Sequence, residues 1–225
     1  MLTRLLELYP VLTKEQGEKF ECYYRMLVEW NGTRNLTAIT EPQAVAEKHF
    51  YDSLAAAPLI RQGANVIDVG TGAGFPGVPL LIIRPDITLT LLDSLNKRIE
   101  FLEALLKELG LTATCVHMRA EDAGRSPLYR QRFDHTVTRA VAPLPVLLEL
   151  TVPLLRVNGT AIAYKGDAAE ELERARNAAK ILRCTLSTET VAADYGQRTL
   201  VLAKKNAETP GKYPRKAGTP SKQPL

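Results

Sequence analysis

Asp68-Val-Gly-Thr-Gly-Ala-Gly-Phe-Pro-Gly77 follows an apolar run, Val66-Ile67, and leads into Val78-Pro-Leu-Leu81. The pattern predicts a buried strand over 65–69, a glycine loop, and a helix over 76–83 whose prolines fall in a first turn that tolerates them. Gly70, Gly72 and Gly74 let the backbone turn sharply and let a ligand touch main chain where any Cβ would collide. The same grammar repeats outward. Strands over 88–92, 112–117, 133–138 and 160–165 alternate with helices over 97–109, 144–155 and 168–182. That alternation predicts βαβ units and a parallel sheet covered on both faces. Strands over 185–191 and 199–204 are too close for a crossover helix, so they should form an antiparallel hairpin at the sheet edge.

Residues 11–60 read as helical, with Leu12, Phe20, Tyr23, Tyr24, Leu27 and Val28 recurring mostly at helical steps. Thr13 with Gln16 reads as a capping box, Asn31-Gly32 as that helix's end and Pro42 as the first turn of the next. A third helix is expected from about His49 to Ile60. The expected division is a helical extension over 1–60, a core over 61–205 and a tail over 206–225. With 225 residues, 45% hydrophobic and 24% charged, the chain can bury a full core, which excludes extended disorder. Cys22, Cys115 and Cys184 are scattered and never paired as CxxC, so they exclude a zinc cage and predict reduced, cytoplasmic thiols. No apolar run is long enough to predict a membrane span. The net charge of +4 belongs to the stretch 204–225, where Lys204, Lys205, Lys212, Arg215, Lys216 and Lys222 face Glu208 alone. Its prolines and glycines predict a mobile basic arm, suited to a polyanionic partner or simply to solubility.

Two ligand classes compete for the glycine loop. Counted from Gly72 it reads GxGxxG, the dinucleotide fingerprint; counted from Asp68 it reads DxGxGxG, the first motif of S-adenosylmethionine-dependent methyltransferases. Asp68, at the end of the first strand, would repel a pyrophosphate but suits the ammonium of a methionine moiety. Asp93 ends the second strand, placed to accept both ribose hydroxyls. The edge hairpin also belongs to the methyltransferase sheet, and no Gly-Lys-Ser/Thr follows to make a Walker loop. The expected fold is α/β, a Rossmann-like class I methyltransferase with seven mostly parallel strands. A nicotinamide-dependent dehydrogenase is the rival, and a catalytically idle nucleic-acid-binding module a third reading.

Ligands of open α/β sheets bind beyond the carboxyl ends of the strands. There Ala120-Glu121-Asp122 follow the third strand, Arg139 closes the fourth and Lys165-Gly166 closes the fifth. Glu121 or its backbone faces an adenine or caps a helix; Arg139 and Lys165 answer a nucleic-acid phosphate or pair with Asp68 or Asp93. The stretch Arg139-Ala-Val-Ala-Pro-Leu-Pro145 is not the Asn/Asp-Pro-Pro-aromatic motif of exocyclic amine methylation. The cysteines read as core, not as nucleophiles, and His49, His117 and His135 suggest neither a triad nor a metal site. An acceptor that owns a lone pair and no proton, such as guanine nitrogen 7, would explain the missing base. Catalysis then reduces to positioning, desolvation and electrostatics.

A longer set of motifs resembles one family. Asn35-Leu-Thr-Ala-Ile39, Glu47-Lys-His49 with Asp52-Ser-Leu54, the glycine loop, Leu92-Asp-Ser-Leu-Asn-Lys-Arg98, Arg119-Ala-Glu-Asp122, Thr138-Arg-Ala140, Lys165-Gly166 and Tyr213-Pro-Arg-Lys-Ala-Gly218 are similar to RsmG, also called GidB. The resemblance spans about residue 20 to the C-terminus. It implies methylation of a guanine at nitrogen 7 in 16S ribosomal RNA, with S-adenosylmethionine as cofactor. It also implies cofactor contacts at Gly70, Phe75, Ala120, Glu121 and Arg139, with Asp93 at the ribose; Asp68 and Gly72 join them from the loop reading. Candidates for catalysis are Arg139, Lys165, Asn35 and His49. Asn35 binds the guanine edge or caps a helix, His49 and Asp52 orient each other, and Lys165 meets RNA phosphate. A small-subunit particle as substrate, a monomeric state and the cytoplasm complete the expectation.

Overall fold

The computed structural model describes residues 1–191 and 198–225. Strands β1 (Asn65–Val69), β2 (Thr88–Asp93), β3 (Thr114–His117), β4 (Phe133–Arg139) and β5 (Leu155–Lys165) run parallel. With β6 (Cys184–Val191) and β7 (Arg198–Lys205) they form one sheet in the order β3-β2-β1-β4-β5-β7-β6. β7 lies antiparallel between β5 and β6, as the sequence led one to expect; the link over 192–197 lies outside the described residues. Successive side chains of β1 go to opposite faces. Val66 joins an apolar cluster with α5 (Gly77–Ile83) and α6 (Asn96–Glu108), whereas Ile67 and Val69 join Leu92, Leu154 and Ala123 of α7 (Ala120–Arg125). A third cluster packs α8 (Leu144–Thr151) and α9 (Ala169–Leu182) against β5 and β7.

Helices α1 (Leu2–Leu8) and α2 (Lys14–Arg34) share the first cluster. Leu5, Phe20, Tyr23 and Leu27 are fully buried there, each contributing roughly 1.5–3 kcal/mol by leaving water. The Thr13–Gln16 capping box opens α2. Asn31-Gly32 does not end it, however: the helix continues to Arg34 and stops at Asn35, φ +50. The Asn31 side chain instead accepts the backbone N–H of Leu36 (2.7 Å) and Thr37 (2.9 Å), capturing the departing chain. The next helix also differs from expectation. It runs from α3 (Pro42–Val45) through a π turn (Ala46–Tyr51) into α4 (Asp52–Leu54), then a 3-10 turn at Ala57–Leu59. The wider π winding re-aims backbone carbonyls at the sheet rim, a device frequent at functional sites.

The basic tail is not a free arm. Glu149 of α8 is completely buried, and Arg215 forks onto it at 2.6 and 2.9 Å. Arg130 donates to the carbonyls of Tyr213 (2.7 Å) and Thr209 (2.8 Å), and Tyr213 is buried. Pro220 starts a short helix, α10 (Thr219–Lys222), where proline fits the first turn. Lys205 is no surface charge either. It is fully buried, donates to Val152 O (3.2 Å) and Leu155 O (2.7 Å), and burial pulls its pKa down to about 8. Internal carboxylate and carbonyl partners thus hold cations that composition had assigned to solvent.

Candidate active site

The glycine loop divides its labour. Gly70 and Thr71 donate their N–H groups to Leu92 O at 2.9 and 3.1 Å, tying the loop to the tip of β2. Gly72 has φ +61, and a Cβ there would meet no protein atom within 4 Å, so this glycine faces open space. Gly74 and Gly77 are different: their Cβ atoms would lie 2.6 Å from the Tyr23 hydroxyl and 2.8 Å from Asp68 Oδ2. They are packing glycines. Asp68 Oδ2 accepts the Gly77 N–H (2.8 Å) and the Thr71 hydroxyl (2.7 Å), so a carboxylate already occupies the place a dinucleotide diphosphate would need. Burial pushes the Asp68 carboxyl up to about 7. This acid, expected at a methionine ammonium, is turned into the loop and does not line the cavity.

A cavity of about 540 Å³ opens beside Gly72 at the carboxyl rim. It brings together Gly70, Gly72, Phe75, Asp93, Ala120, Glu121, Arg139 and His49 from widely separated segments. Asp93 is nearly buried; it accepts the Gly72 N–H (2.9 Å) and Leu95 N–H (3.0 Å), and Arg98 approaches to 3.1 Å. Phe75 anchors the loop to the N-terminal helices. Its ring lies 5.3 Å from Tyr23, 4.6 Å from His49 and 5.1 Å from the Arg139 guanidinium, while the Tyr23 hydroxyl donates to Ala73 O.

Arg139 stands at a junction. The expected pairing with Asp68 or Asp93 gives way to Asp52, at 2.9 Å, because the π turn presents Asp52 together with the carbonyls of Lys48 (3.0 Å) and His49 (3.4 Å). His49 and Asp52 therefore converge on one guanidinium: His49 Nδ1 is 3.4 Å from Arg139 Nη2, and its Nε2 is 2.8 Å from the Thr37 hydroxyl. Burial, reinforced by Arg139, lowers the His49 pKa to about 4, so the ring is neutral near pH 7.

Beyond Arg139 lies a second cavity of about 370 Å³, sharing His49, Arg139 and Ala140 with the first. Lys48, Asp52, Lys165 and Arg198 also line it. Lys165 pairs with Glu171 (2.7 Å) and donates to Ala142 O (2.9 Å), while Glu171 accepts the Leu144 N–H (2.7 Å). Together they pin the loop after β4. In that loop Ala140 has φ +56, a left-handed conformation costing a non-glycine residue about 1–2 kcal/mol. Val141 packs so close to Gly70 that a Cβ there would fall 2.6 Å from it. Asn35 lines neither cavity; it is the helix C-cap. Sequence reading missed Arg98, Arg198 and Ser221. Arg98 stood within a motif already quoted, but nothing local announces Arg198 at β7 or Ser221, which reaches the first cavity from the tail.

A family model described as GidB, rRNA small subunit methyltransferase G, matches residues 16–201. The chain belongs to this family. A GidB relative from Desulfitobacterium hafniense, named ribosomal RNA small subunit methyltransferase G, is 49% identical over 95% of this chain and 91% of its own. One of the same name from Streptococcus agalactiae is 47% identical over 98% and 96%. Solved structures agree on the fold. A Pyrococcus furiosus methyltransferase has a TM-score of 0.58 at 13% identity, over 84% of this chain and 99% of that one. A Bacillus cereus O-methyltransferase in complex with SAH has a TM-score of 0.57 at 16% identity, over 82% and 90%. The GidB match bears out the resemblance and the Rossmann-like methyltransferase sheet, and it removes the dehydrogenase reading.

Proposed function

We propose that the first cavity holds S-adenosylmethionine and that the second admits a guanine of 16S ribosomal RNA for methylation at nitrogen 7. One observation carries this reading: two cavities meet at Arg139 and His49 on the carboxyl rim. The residues of the first fit the cofactor. Gly72 leaves the space beside its backbone open, and Asp93, held by Gly72, Leu95 and Arg98, offers carboxylate oxygens to ribose hydroxyls. When bound, the cofactor supplies a methyl group on a cationic sulfur.

The chain's own work is to hold and orient. Guanine nitrogen 7 bears a lone pair and no proton, so no side chain has to accept one as its bond to the methyl carbon forms. His49, neutral near pH 7, adds no competing positive charge at the junction. Arg139, steered by Asp52 and two carbonyls, fixes the wall between the cavities. Lys48, Arg139, Lys165 and Arg198 outweigh their partners Asp52 and Glu171, and that surplus makes the second cavity attractive to a phosphate-rich ligand. The residues assigned to both cavities come from one chain, so the reading needs no second copy. We extend the reading to a small-subunit particle in the cytoplasm; none of the described helices is long and apolar enough to cross a membrane.

Mapping modified nucleotides in 16S ribosomal RNA, from cells lacking this protein and from cells with it restored, tests the proposal. A 7-methylguanine that disappears and returns with the protein is the expected result. A methyl group on an exocyclic amine, or an unchanged map, overturns it.

A further inference from the structure

The family model ends at residue 201, yet Ser221 lines the first cavity. What brings it there is a chain of anchors. Arg130 holds the carbonyls of Thr209 and Tyr213, and Pro214 seats on Gly124, where a Cβ would lie 2.8 Å from the proline ring. Arg215 satisfies the buried Glu149 through its guanidinium and its own N–H (2.8 Å). A carboxylate so deeply buried is costly without its cation, so the segment is tied to the interior of α8. Gly218 then turns with φ +80, a conformation open to glycine, and aims its N–H at Glu121 Oε1, 2.8 Å away. Arg119 approaches the other oxygen of Glu121 at 3.6 Å. One cavity-lining acid is therefore oriented from two sides, and one of those sides is the tail.

We propose that the segment from Tyr213 to Ser221 is a wall of the cofactor site: it positions Glu121, narrows the cavity with Ser221 and retains the adenosyl ligand. This rests on the reading of the first cavity as the S-adenosylmethionine pocket. Arg215 and Gly218 are positioning residues, acting through Glu149 and Glu121; Ser221 borders the ligand space itself. Lys216 on this segment and Lys222 just beyond it are exposed, so trypsin reports directly on whether the segment is seated.

The test uses the full chain and S-adenosylhomocysteine as probe. Ser221 is exposed and takes part in none of the anchoring hydrogen bonds, so Ser221→Trp fills cavity space while leaving those anchors in place. Its calorimetric Kd should rise about tenfold or more while the ligand-free Tm stays near that of the wild type. In the wild type, the probe should slow tryptic cleavage at Lys216 and Lys222 several-fold while cleavage at the exposed Lys14 keeps its rate. An unchanged Kd for Ser221→Trp, or tail cleavage indifferent to the probe, overturns the proposal. Asp93→Ala separates the two layers of argument. If it weakens binding and Ser221→Trp does not, only the wall fails; if both bind like the wild type, the cavity is not the cofactor site.

Discussion

The two cavities that meet at Arg139 are built on opposite principles. The first is floored by the glycine loop and the strand tips, with carboxylates whose charge is already answered by Arg98 or Arg119. The second sets the side chains of Lys48, Arg139, Lys165 and Arg198 against Asp52, which pairs with Arg139 and Arg198, and Glu171, which pairs with Lys165, so a surplus of positive charge remains. A backbone cradle is rigid and precedes its ligand, which suits a small molecule whose shape never varies. The second cavity's surplus of positive charge acts at long range, which suits an RNA that arrives as a charged surface before any base is read. The contrast is between recognising one molecule and drawing in a polymer.

Substitution at the junction should blur that contrast most. Arg139→Ala removes a half-buried cation from Asp52 and the cover over Phe75. It should lower kcat/KM for RNA by about 10²–10³-fold and raise the Kd for S-adenosylhomocysteine as well, since one group serves both sides. Loss on only one side would show that the cavities are independent. Next in size, Asp93→Ala should weaken the cofactor about 10–100-fold, by removing charged hydrogen bonds, with little change in the KM for RNA. Gly74→Ala sharpens the comparison from the folding side. A Cβ would strike Tyr23, so stability should fall by about 2–4 kcal/mol in urea unfolding. Gly72→Ala should cost roughly 1 kcal/mol but impair cofactor binding more.

Lys165→Ala should have a smaller effect, raising the KM for RNA about threefold to tenfold by loosening the Ala142–Leu144 loop, with cofactor Kd nearly intact. The smallest effect concerns pH. An ordinary aspartate ionises near 3.8, whereas buried Asp68 keeps its proton to about 7. Between those values the unfolded chain has released a proton that the folded chain still holds, so this group's contribution to stability falls as pH rises. The Tm difference between wild type and Asp68→Asn should therefore move against the wild type by several °C from about pH 4.5 to 7.5. A difference constant with pH would mean that Asp68 ionises normally.

The backbone-built half was also the legible half. Glycines and strand-terminal acids carry their geometry in local spacing, so β1, the loop and Asp93 could be read directly, as could the late hairpin from the short gap between its strands. Asp68 misled because the sequence shows an acid at a strand end, not which way its carboxylate turns. Arg139 misled because its partner was decided by a π turn, a local winding that hydrophobic period does not encode. Lys205 and Arg215 were counted as free charge because composition cannot see the buried carbonyls and Glu149 that engage them. What stayed hidden was the meeting of remote side chains.

The position of β7 between β5 and β6 has a consequence for biosynthesis. Until the strand Arg198–Lys205 has emerged from the ribosome, β5 shows an open edge on one side and β6 has no neighbour at all. An incomplete nascent chain therefore carries two adhesive borders, the kind that draws chaperones or seeds aggregates. Premature termination in this region should yield sticky fragments instead of a smaller working enzyme.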